Sequence, residues 1–298
     1  MHSISLTESY LFGRLWGIKN LKRIDSRNLM KSIYKVSALA LALGLIMVAV
    51  PAGAEVGQGR PSTIPSSARE VAPGVFDLGK AKDPKTGKMV DGLAIVHYKK
   101  NEARGGSAKA PRAGTKCYGF LASGAKWKTN ENWVLNASNP DGLDTDNLFS
   151  IMNAGVTKWE AAAGADVMGA GSATTDTLFA GEALNNVNEV EFSNLDSVST
   201  IAVTTVWGYF GGPVLTREII EWDMQFNTGF AWSAAVGGVA DKMDFDNIAT
   251  HELGHAFGMA DLYTGSCGNE TMFGYADNAE TNKRDLNSGD IKGVSSLY

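Results

Sequence analysis

The chain has 298 residues, of which 44% are hydrophobic, and this is enough for one sizeable domain with accessory segments. Its formal net charge of −5 is unevenly spread, because residues 1–114 carry 18 Lys and Arg against 8 Asp and Glu, whereas residues 115–298 carry 9 against 24. The acidic part has no basic cluster, so we expect no nucleic-acid partner for it.

An apolar run near the start of the chain predicts export. Residues 38–50 follow two lysines and end in the small-residue sequence Pro-Ala-Gly-Ala, which is typical of a secretory signal peptide cleaved after Ala54. The alternative is an uncleaved membrane anchor, but the run is shorter than the ~20 residues that a spanning helix needs. Signal peptides begin at the start codon, so Met30 is the expected start and residues 1–54 are an N-terminal extension with a signal peptide. We therefore expect a secreted protein that meets a membrane only during export, with a signal-anchored form as the alternative.

A basic region follows. Residues 55–114 are predicted to be a pro-segment or a linker. A pro-segment of this charge would bind the acidic domain and keep a zymogen inactive, whereas a linker would have no such contact. Within it, residues 89–100 alternate as in a strand and are predicted to form a hairpin with residues 75–78. His97 lies on this strand, outside the predicted domain, and is interpreted as a surface histidine rather than a ligand. The linker composition of residues 105–112 places the domain boundary there.

Residues 115–298 have the pattern of an α+β domain. Apolar residues at helical spacing predict a helix around residues 148–159 that ends near Gly164. A second helix is predicted from Asp246, a good N-cap residue, to Gly258. A short third helix closes the chain at residues 288–297. Strands are predicted at residues 127–135, 190–192, 200–207 and 218–226.

The second predicted helix carries the sequence His-Glu-Leu-Gly-His, which has the spacing of a metal site. Positions i and i+4 share a helix face, so His251 and His255 can bind one ion, and the adjacent Glu252 can hold a water on that ion as catalytic base. Gly258 can take the positive φ that reverses the chain. The reversal would bring Asp261 to the metal as third ligand and leave the fourth position for water, as in catalytic zinc.

These residues resemble a known group. His-Glu-x-x-His-x-x-Gly-x-x-Asp is similar to the metzincin motif with its last His replaced by Asp, as in snapalysin-like peptidases. Residues 271–275 look like the metzincin Met-turn, with Met272 beneath the zinc. Residues 218–227 resemble the matrixin edge strand, which binds the substrate backbone by strand addition, and residues 290–293 resemble the matrixin C-terminal helix. The resemblance implies a zincin-like metzincin fold, with a twisted, mostly parallel five-stranded sheet, an active-site helix and a C-terminal helix.

Two details qualify what the resemblance implies. In some metzincins a Tyr two residues after the Met assists at the metal, whereas Tyr275 stands three residues after Met272. We therefore favour a packing role for Tyr275 over an accessory role at the metal. The Asp261 ligand is anionic, which should leave the bound water less acidic than a site of three histidines would.

The chain has two cysteines, Cys117 and Cys267. In an exported protein these are expected to form a disulfide. The alternative is a cysteine switch in which Cys117 blocks the zinc until the pro-segment is cut. Residues 111–114 superficially resemble the matrixin switch motif, but Ala113 stands where that motif has its Cys. The disulfide is the favoured interpretation.

Two acidic loops suggest calcium as a second metal, although helix caps and solvated loops explain them equally well. Their residues are Asn139, Asp141, Asp144 and Asp146 in one loop and Asp241, Asp244 and Asp246 in the other.

The sequence thus predicts a secreted, monomeric zinc endopeptidase that acts on proteins or peptides through a water activated by Glu252. One alternative is a catalytically inactive zinc-binding recognition module, against which Glu252 itself argues. Another is a metallohydrolase with a non-peptide substrate.

Overall fold

The computed structural model describes residues 61–100 and 116–298. The predicted signal peptide, the start at Met30, the linker at 105–112 and the switch-like sequence at 111–114 lie outside these residues. None of the helices in the described ranges combines the length and the apolar character that crossing a bilayer requires.

Three helices and eleven strands make up the described residues. The helices are α1 (Thr145–Ala163), α2 (Phe245–Ala256) and α3 (Ser288–Leu297). The strands are β1 (Arg69–Ala72), β2 (Val75–Lys82), β3 (Met89–Lys99), β4 (Glu131–Asn136), β5 (Met168–Thr174), β6 (Asn188–Ser193), β7 (Thr200–Tyr209), β8 (Glu218–Asn227), β9 (Trp232–Ser233), β10 (Met243–Asp244) and β11 (Tyr275–Ala276).

The main sheet contains the five strands expected of a metzincin and continues beyond them. Strands β5, β4, β6 and β8 are parallel neighbours in that order, and β7 is antiparallel to β8. The outer side of β7 pairs with β3, which leads on to β2 and β1, and β11 pairs with β3. The predicted α+β class is confirmed. The sheet has nine strands because the predicted hairpin of the basic region (β2 and β3), β1 and β11 join these five.

The edge-strand prediction for residues 218–227 is wrong. This segment is β8, which lies between β6 and β7 and is almost wholly buried. Its Glu221 and Asp223 are buried as well, and their carboxylates accept the backbone N–H groups of Asn185 and Gly181 in the loop before β6. The resemblance therefore assigned the edge position to the wrong strand. The outermost of the five strands is β7.

The two long helices follow their sequence signals closely. Helix α1 ends at Gly164 with a φ of 67°, as the glycine predicted. The N-cap of helix α2 lies two residues earlier than expected, because Asp244 rather than Asp246 caps the helix by accepting the N–H of Asn247. Strand β5 was missed, since its sequence Met-Gly-Ala-Gly-Ser-Ala-Thr lacks the branched and aromatic residues that mark strands.

Helix α2 lies in the centre of the core. Every residue of α2 except Asp246 is buried. Two indole N–H groups donate hydrogen bonds to carbonyls of this helix. Trp159 donates to Thr250 O and Trp127 donates to Ala256 O, each at a distance of 2.8 Å. The helix is therefore held at its middle and at its C-terminal end by contacts that do not involve the predicted metal ligands.

Candidate metal centre

Two histidines on α2 present their outer ring nitrogens to one point. The Nδ1–H of His251 donates to Thr271 O over 2.6 Å, and that of His255 donates to Met259 O over 2.9 Å. With Nδ1 protonated, each neutral ring keeps its lone pair on Nε2. Both rings are fully buried. The backbone therefore sets the tautomer that a metal ligand needs.

A tight reversal after α2 brings Asp261 back to this point. Gly258 has a φ of 95°, and a Cβ there would stand 3.0 Å from Ala125 O, so this position requires glycine. After the turn, Oδ1 of Asp261 lies 3.1 Å from His251 Nε2 and 3.5 Å from His255 Nε2. The structure thus brings together all three residues that the sequence predicts as ligands.

These three atoms meet the requirements of a cation site. The Nε2 atoms of His251 and His255 and Oδ1 of Asp261 are buried without a hydrogen-bond partner. Burial alone would lower the pKa of His255, but the charge of Asp261 raises this pKa to about 9. Burial alone would raise the pKa of Asp261, but the two histidines hold it well below its usual range. The pocket therefore favours positive charge. Two imidazoles and a carboxylate are a donor set used by divalent transition metals.

Tyr263 supports the third ligand, and sequence reasoning missed it. Its phenol donates to Oδ2 of Asp261 over 3.0 Å and also lies 3.1 Å from Pro73 O. Burial and the charge of Asp261 raise the pKa of Tyr263 well above its usual value, so the phenol stays protonated. The spacing could have revealed this contact, because Tyr263 follows Asp261 by two residues. In an extended segment, side chains two positions apart point to the same side.

The Met-turn lies under α2. Met272 is fully buried, and a Cβ on Gly254 would stand only 2.2 Å from its sulfur, so the helix and the turn are in direct contact. Asp290 at the start of α3 fixes this turn by accepting the N–H groups of Thr271 at 2.7 Å and Met272 at 3.1 Å. Thr271 O holds His251, so α3 helps to orient a metal ligand.

Tyr275 has the packing environment expected of it. It begins β11, and its ring centroid lies 5.1 Å from that of Tyr263 and 5.8 Å from that of Phe273. Burial, together with the charge of Asp261, raises its pKa. Tyr275 therefore packs beside the residue that supports Asp261.

Glu252 stands next to the metal site with both oxygens engaged. Its Oε2 accepts the hydroxyl of Thr204 on β7 over 2.6 Å, and its Oε1 lies 2.9 Å from His97 Nδ1 on β3. Burial would raise the pKa of Glu252, but the hydrogen bond from His97 lowers it below its usual value. The group is therefore a carboxylate at neutral pH, as a base must be.

The prediction that His97 is a surface residue is wrong. The side chain is fully buried, and its ring centroid lies 3.9 Å from that of His251. Burial, with the nearby His251, lowers the pKa of His97 to about 3, so its neutral ring donates Nδ1–H to Glu252. Its partner is 155 positions away along the chain, and strand alternation cannot reveal what a distant helix places against one face.

The two acidic loops serve other purposes in the structure. Asp144 caps α1 and Asp244 caps α2, and Asp244 also binds Arg284. Asp141 accepts the backbone N–H of Trp232. Among the described residues, the groups arranged to hold a metal are those around His251, and neither loop forms such a group. Asp144 and Asp244 are therefore used as helix caps, and Asp141 is used to hold the backbone at Trp232.

The two cysteines are joined. Cys117 and Cys267 form a disulfide with their Cα atoms 5.4 Å apart, which is the pairing favoured from the sequence. The bond ties the start of the domain to the segment between Asp261 and the Met-turn. Cys117 is therefore not a zinc-blocking thiolate in this structure.

The site helix, the reversal at Gly258 and the turn at Met272 together define a metzincin. The sequence model of the matrixin family, peptidase family M10, matches residues 120–298, more than half of the chain. The chain therefore belongs to the matrixin family of metallopeptidases, which confirms the predicted resemblance. No curated protein sequence matches it significantly. Strands β1–β3 precede the matched residues, so His97 comes from outside the family domain.

Proposed function

We propose that the chain is a zinc endopeptidase with His251, His255 and Asp261 as its metal ligands and Glu252 as its base. The observation that carries this proposal is the convergence of three buried, unpartnered donor atoms beside a buried carboxylate. Two imidazoles and one carboxylate, with a position left for water, are the arrangement of catalytic zinc.

In this proposal each side chain has a defined task. Bound zinc would supply Lewis-acid polarisation of the scissile carbonyl and increase the acidity of a water molecule. Glu252 accepts the proton of that water as the water attacks the carbonyl carbon, and then delivers it to the departing amine. Thr204 holds one oxygen of Glu252 and so orients the carboxylate. Tyr263 holds the second oxygen of Asp261 and so orients the ligand.

A peptide substrate is favoured by the family and by the position of the base. Glu252 accepts the hydroxyl of Thr204 on β7, whose outer edge already holds the extended strand β3 through backbone hydrogen bonds. A strand edge of this kind can hold an extended peptide in the same way. Export is part of the proposal, since a disulfide is typical of oxidising compartments. A pure zinc-binding module would not need a carboxylate buried beside the ligands.

The test compares two variants that differ only in which carboxylate is changed. The zinc-loaded chain is incubated with a peptide library before and after limited proteolysis, and the products are identified by mass spectrometry. Glu252→Gln should retain zinc and lose cleavage, because an amide cannot accept the proton. Asp285→Asn, which alters a carboxylate whose side chain is 91% exposed, should cleave like the wild type. Cleavage by Glu252→Gln at the wild-type rate would contradict the proposal.

A further inference from the structure

The loop that joins β5 to β6 lies on the face of the sheet that is turned away from the metal centre. Thr204 on β7 reaches Glu252 on α2, so the next residue, Thr205, points to the opposite face. A Cβ on Gly181 of the loop would stand 3.4 Å from the hydroxyl of Thr205. Residues 175–187, the outer loop, therefore cover this opposite face of the sheet.

Two buried carboxylates on β8 hold the backbone of the outer loop. Oδ2 of Asp223 accepts the N–H of Gly181 over 2.9 Å. Oε2 of Glu221 accepts the N–H of Asn185 over 2.9 Å and also that of Asn186. Both carboxylates are at most 1% exposed. The loop is thus attached to the sheet through side chains that can gain or lose a proton.

The surroundings of these two carboxylates are acidic. Three further carboxylates lie close enough to repel members of this cluster, namely Glu189 and Glu191 on β6 and Glu182 on the outer loop. Within residues 61–100 and 116–298, none of the salt bridges involves any member of this cluster. The charge of the cluster is therefore not balanced by a paired cation in the described part of the chain.

The charged and titratable groups of the neighbouring turn between β2 and β3 are engaged with other partners. The ammonium of Lys85 lies 3.1 Å from the carboxylate of Glu131. Asp83 accepts the hydroxyl of Tyr209 over 3.2 Å, and the ammonium of Lys88 lies 5.9 Å from the centroid of that ring. This turn therefore uses its charges locally, beside the outer loop.

One oxygen of Glu221 indicates that the closed loop holds a proton. Its Oε1 is buried without a hydrogen-bond partner, an arrangement that is costly for an ionised oxygen and less so for a neutral carboxyl. Burial raises the pKa of Glu221 to about 7 and that of Asp223 well above its usual value, although the N–H groups of the loop oppose both shifts. The closed arrangement therefore favours protonation of this pair.

We propose that the outer loop is a pH-operated flap, which is closed while Glu221 and Asp223 hold a proton between them and is released when both are ionised. Release lets water solvate the carboxylates and relieves their mutual repulsion. Because the closed state binds the proton more tightly than the open state does, closure is complete in acid and weakens as pH rises towards about 7. The flap lies on the face opposite α2, so the inference is independent of the proposed function.

The experiment measures hydrogen exchange of single amides in the full chain at a series of pH values. Division by the intrinsic exchange rate at each pH gives a protection factor, which reports the ratio of closed to open loop. The protection of the Gly181, Asn185 and Asn186 amides should fall together, by up to about tenfold per pH unit as pH rises towards about 7. The Gly229 amide is the internal control, because it donates to the neutral side chain of Asn227 over 2.9 Å and its protection should stay constant.

Three substitutions assign the response to the two carboxylates on β8. Glu221→Gln keeps an oxygen that can accept the N–H groups of the loop but does not titrate, so the protection of Asn185 should become nearly independent of pH. Asp223→Asn is the same test at Gly181, and it serves alone if Glu221→Gln does not fold. Asp176→Asn changes an exposed carboxylate on the same loop and should leave the wild-type response to pH intact.

Three results would overturn the inference. The first is protection of the loop amides that does not change with pH. The second is a fall of equal size at Gly229, because pH would then act on the whole fold rather than on the outer loop. The third is a wild-type response to pH in both Glu221→Gln and Asp223→Asn, because other groups would then control the loop.

Discussion

The phenol of Tyr263 donates a hydrogen bond of 3.0 Å to Oδ2 of Asp261, while Oδ1 of the same carboxylate faces His251 and His255. One residue thus fixes which oxygen is free to bind a metal. The contact also links the third ligand to the N-terminal segment, because the same phenol lies beside Pro73 O.

Removal of this hydrogen bond should weaken metal binding. Partners that orient a metal ligand typically contribute about 10–100-fold to affinity, so we expect Tyr263→Phe to weaken zinc binding by roughly tenfold. The measurement is competition with a chelator of known zinc affinity. Tyr275→Phe is the matched control. The Tyr275 ring packs against Tyr263, so the loss of the Tyr275 hydroxyl should leave zinc affinity unchanged. Equal affinities for Tyr263→Phe and wild type would show that Asp261 needs no support.

A methyl group on Gly254 should destabilise the fold. The added Cβ would meet the Met272 sulfur at 2.2 Å and the Trp159 ring at 2.7 Å, and overpacking of a core typically costs about 1–3 kcal/mol. We expect Gly254→Ala to lower the free energy of unfolding in urea by that amount. Gly211→Ala is the control, because a Cβ there meets open space. If both variants are as stable as the wild type, the contact between the Met-turn and α2 is looser than described.

The disulfide should stabilise the domain without controlling activity. It closes a loop of 150 positions, and such a crosslink typically contributes roughly 2–4 kcal/mol, mainly by restricting the unfolded chain. Replacement of Cys117 and Cys267 together by Ala should lower the free energy of unfolding by this amount and leave zinc stoichiometry unchanged. Release of activity in the full-length double variant would support the cysteine-switch interpretation instead.

Buried carboxylates on β8 should make stability depend on pH. Burial raises the pKa of Glu221 from 4.5 to about 7, although the N–H groups of Asn185 and Asn186 oppose this shift. Because the folded state binds this proton more tightly than the unfolded state does, the contribution to stability is complete below the unfolded pKa and is lost as pH rises towards about 7. We expect the loss to be roughly 2–3 kcal/mol.

The corresponding measurement is urea unfolding at a series of pH values. Glu221→Gln should flatten the decline between pH 4.5 and about 7, because the amide does not titrate. Burial also raises the pKa of Asp223 well above its usual value, so a smaller slope should remain. Glu218→Gln changes a carboxylate on the same strand that pairs with Lys128 and should leave the slope as in the wild type. A slope unaffected by Glu221→Gln would contradict the raised pKa.

Local signals predicted much of the site. The i, i+4 spacing placed His251 and His255 on one helix face, and the glycine at 258 correctly predicted the reversal that delivers Asp261. These features depend on a few neighbouring residues. The same is true of Gly164, which ends α1 where its conformational freedom predicted.

Contacts between distant segments could not be predicted in this way. The position of β8 inside the sheet depends on which strands flank it, and its buried Glu221 is satisfied by a loop more than thirty positions earlier. The place of His97 depends on the pairing of β3 with β7, which alternation alone does not specify. Linker-like composition around the hairpin concealed its membership of the sheet.

The most direct test of the central claim is a crystal structure of the zinc-loaded chain with anomalous scattering recorded at the zinc absorption edge. The account predicts one strong peak within about 2.0–2.2 Å of Nε2 of His251, Nε2 of His255 and Oδ1 of Asp261. In an Asp261→Ala crystal the peak should weaken or vanish, whereas in a Tyr275→Phe crystal it should remain. A zinc ion bound to other residues, or an unchanged peak in the Asp261→Ala crystal, would contradict the account.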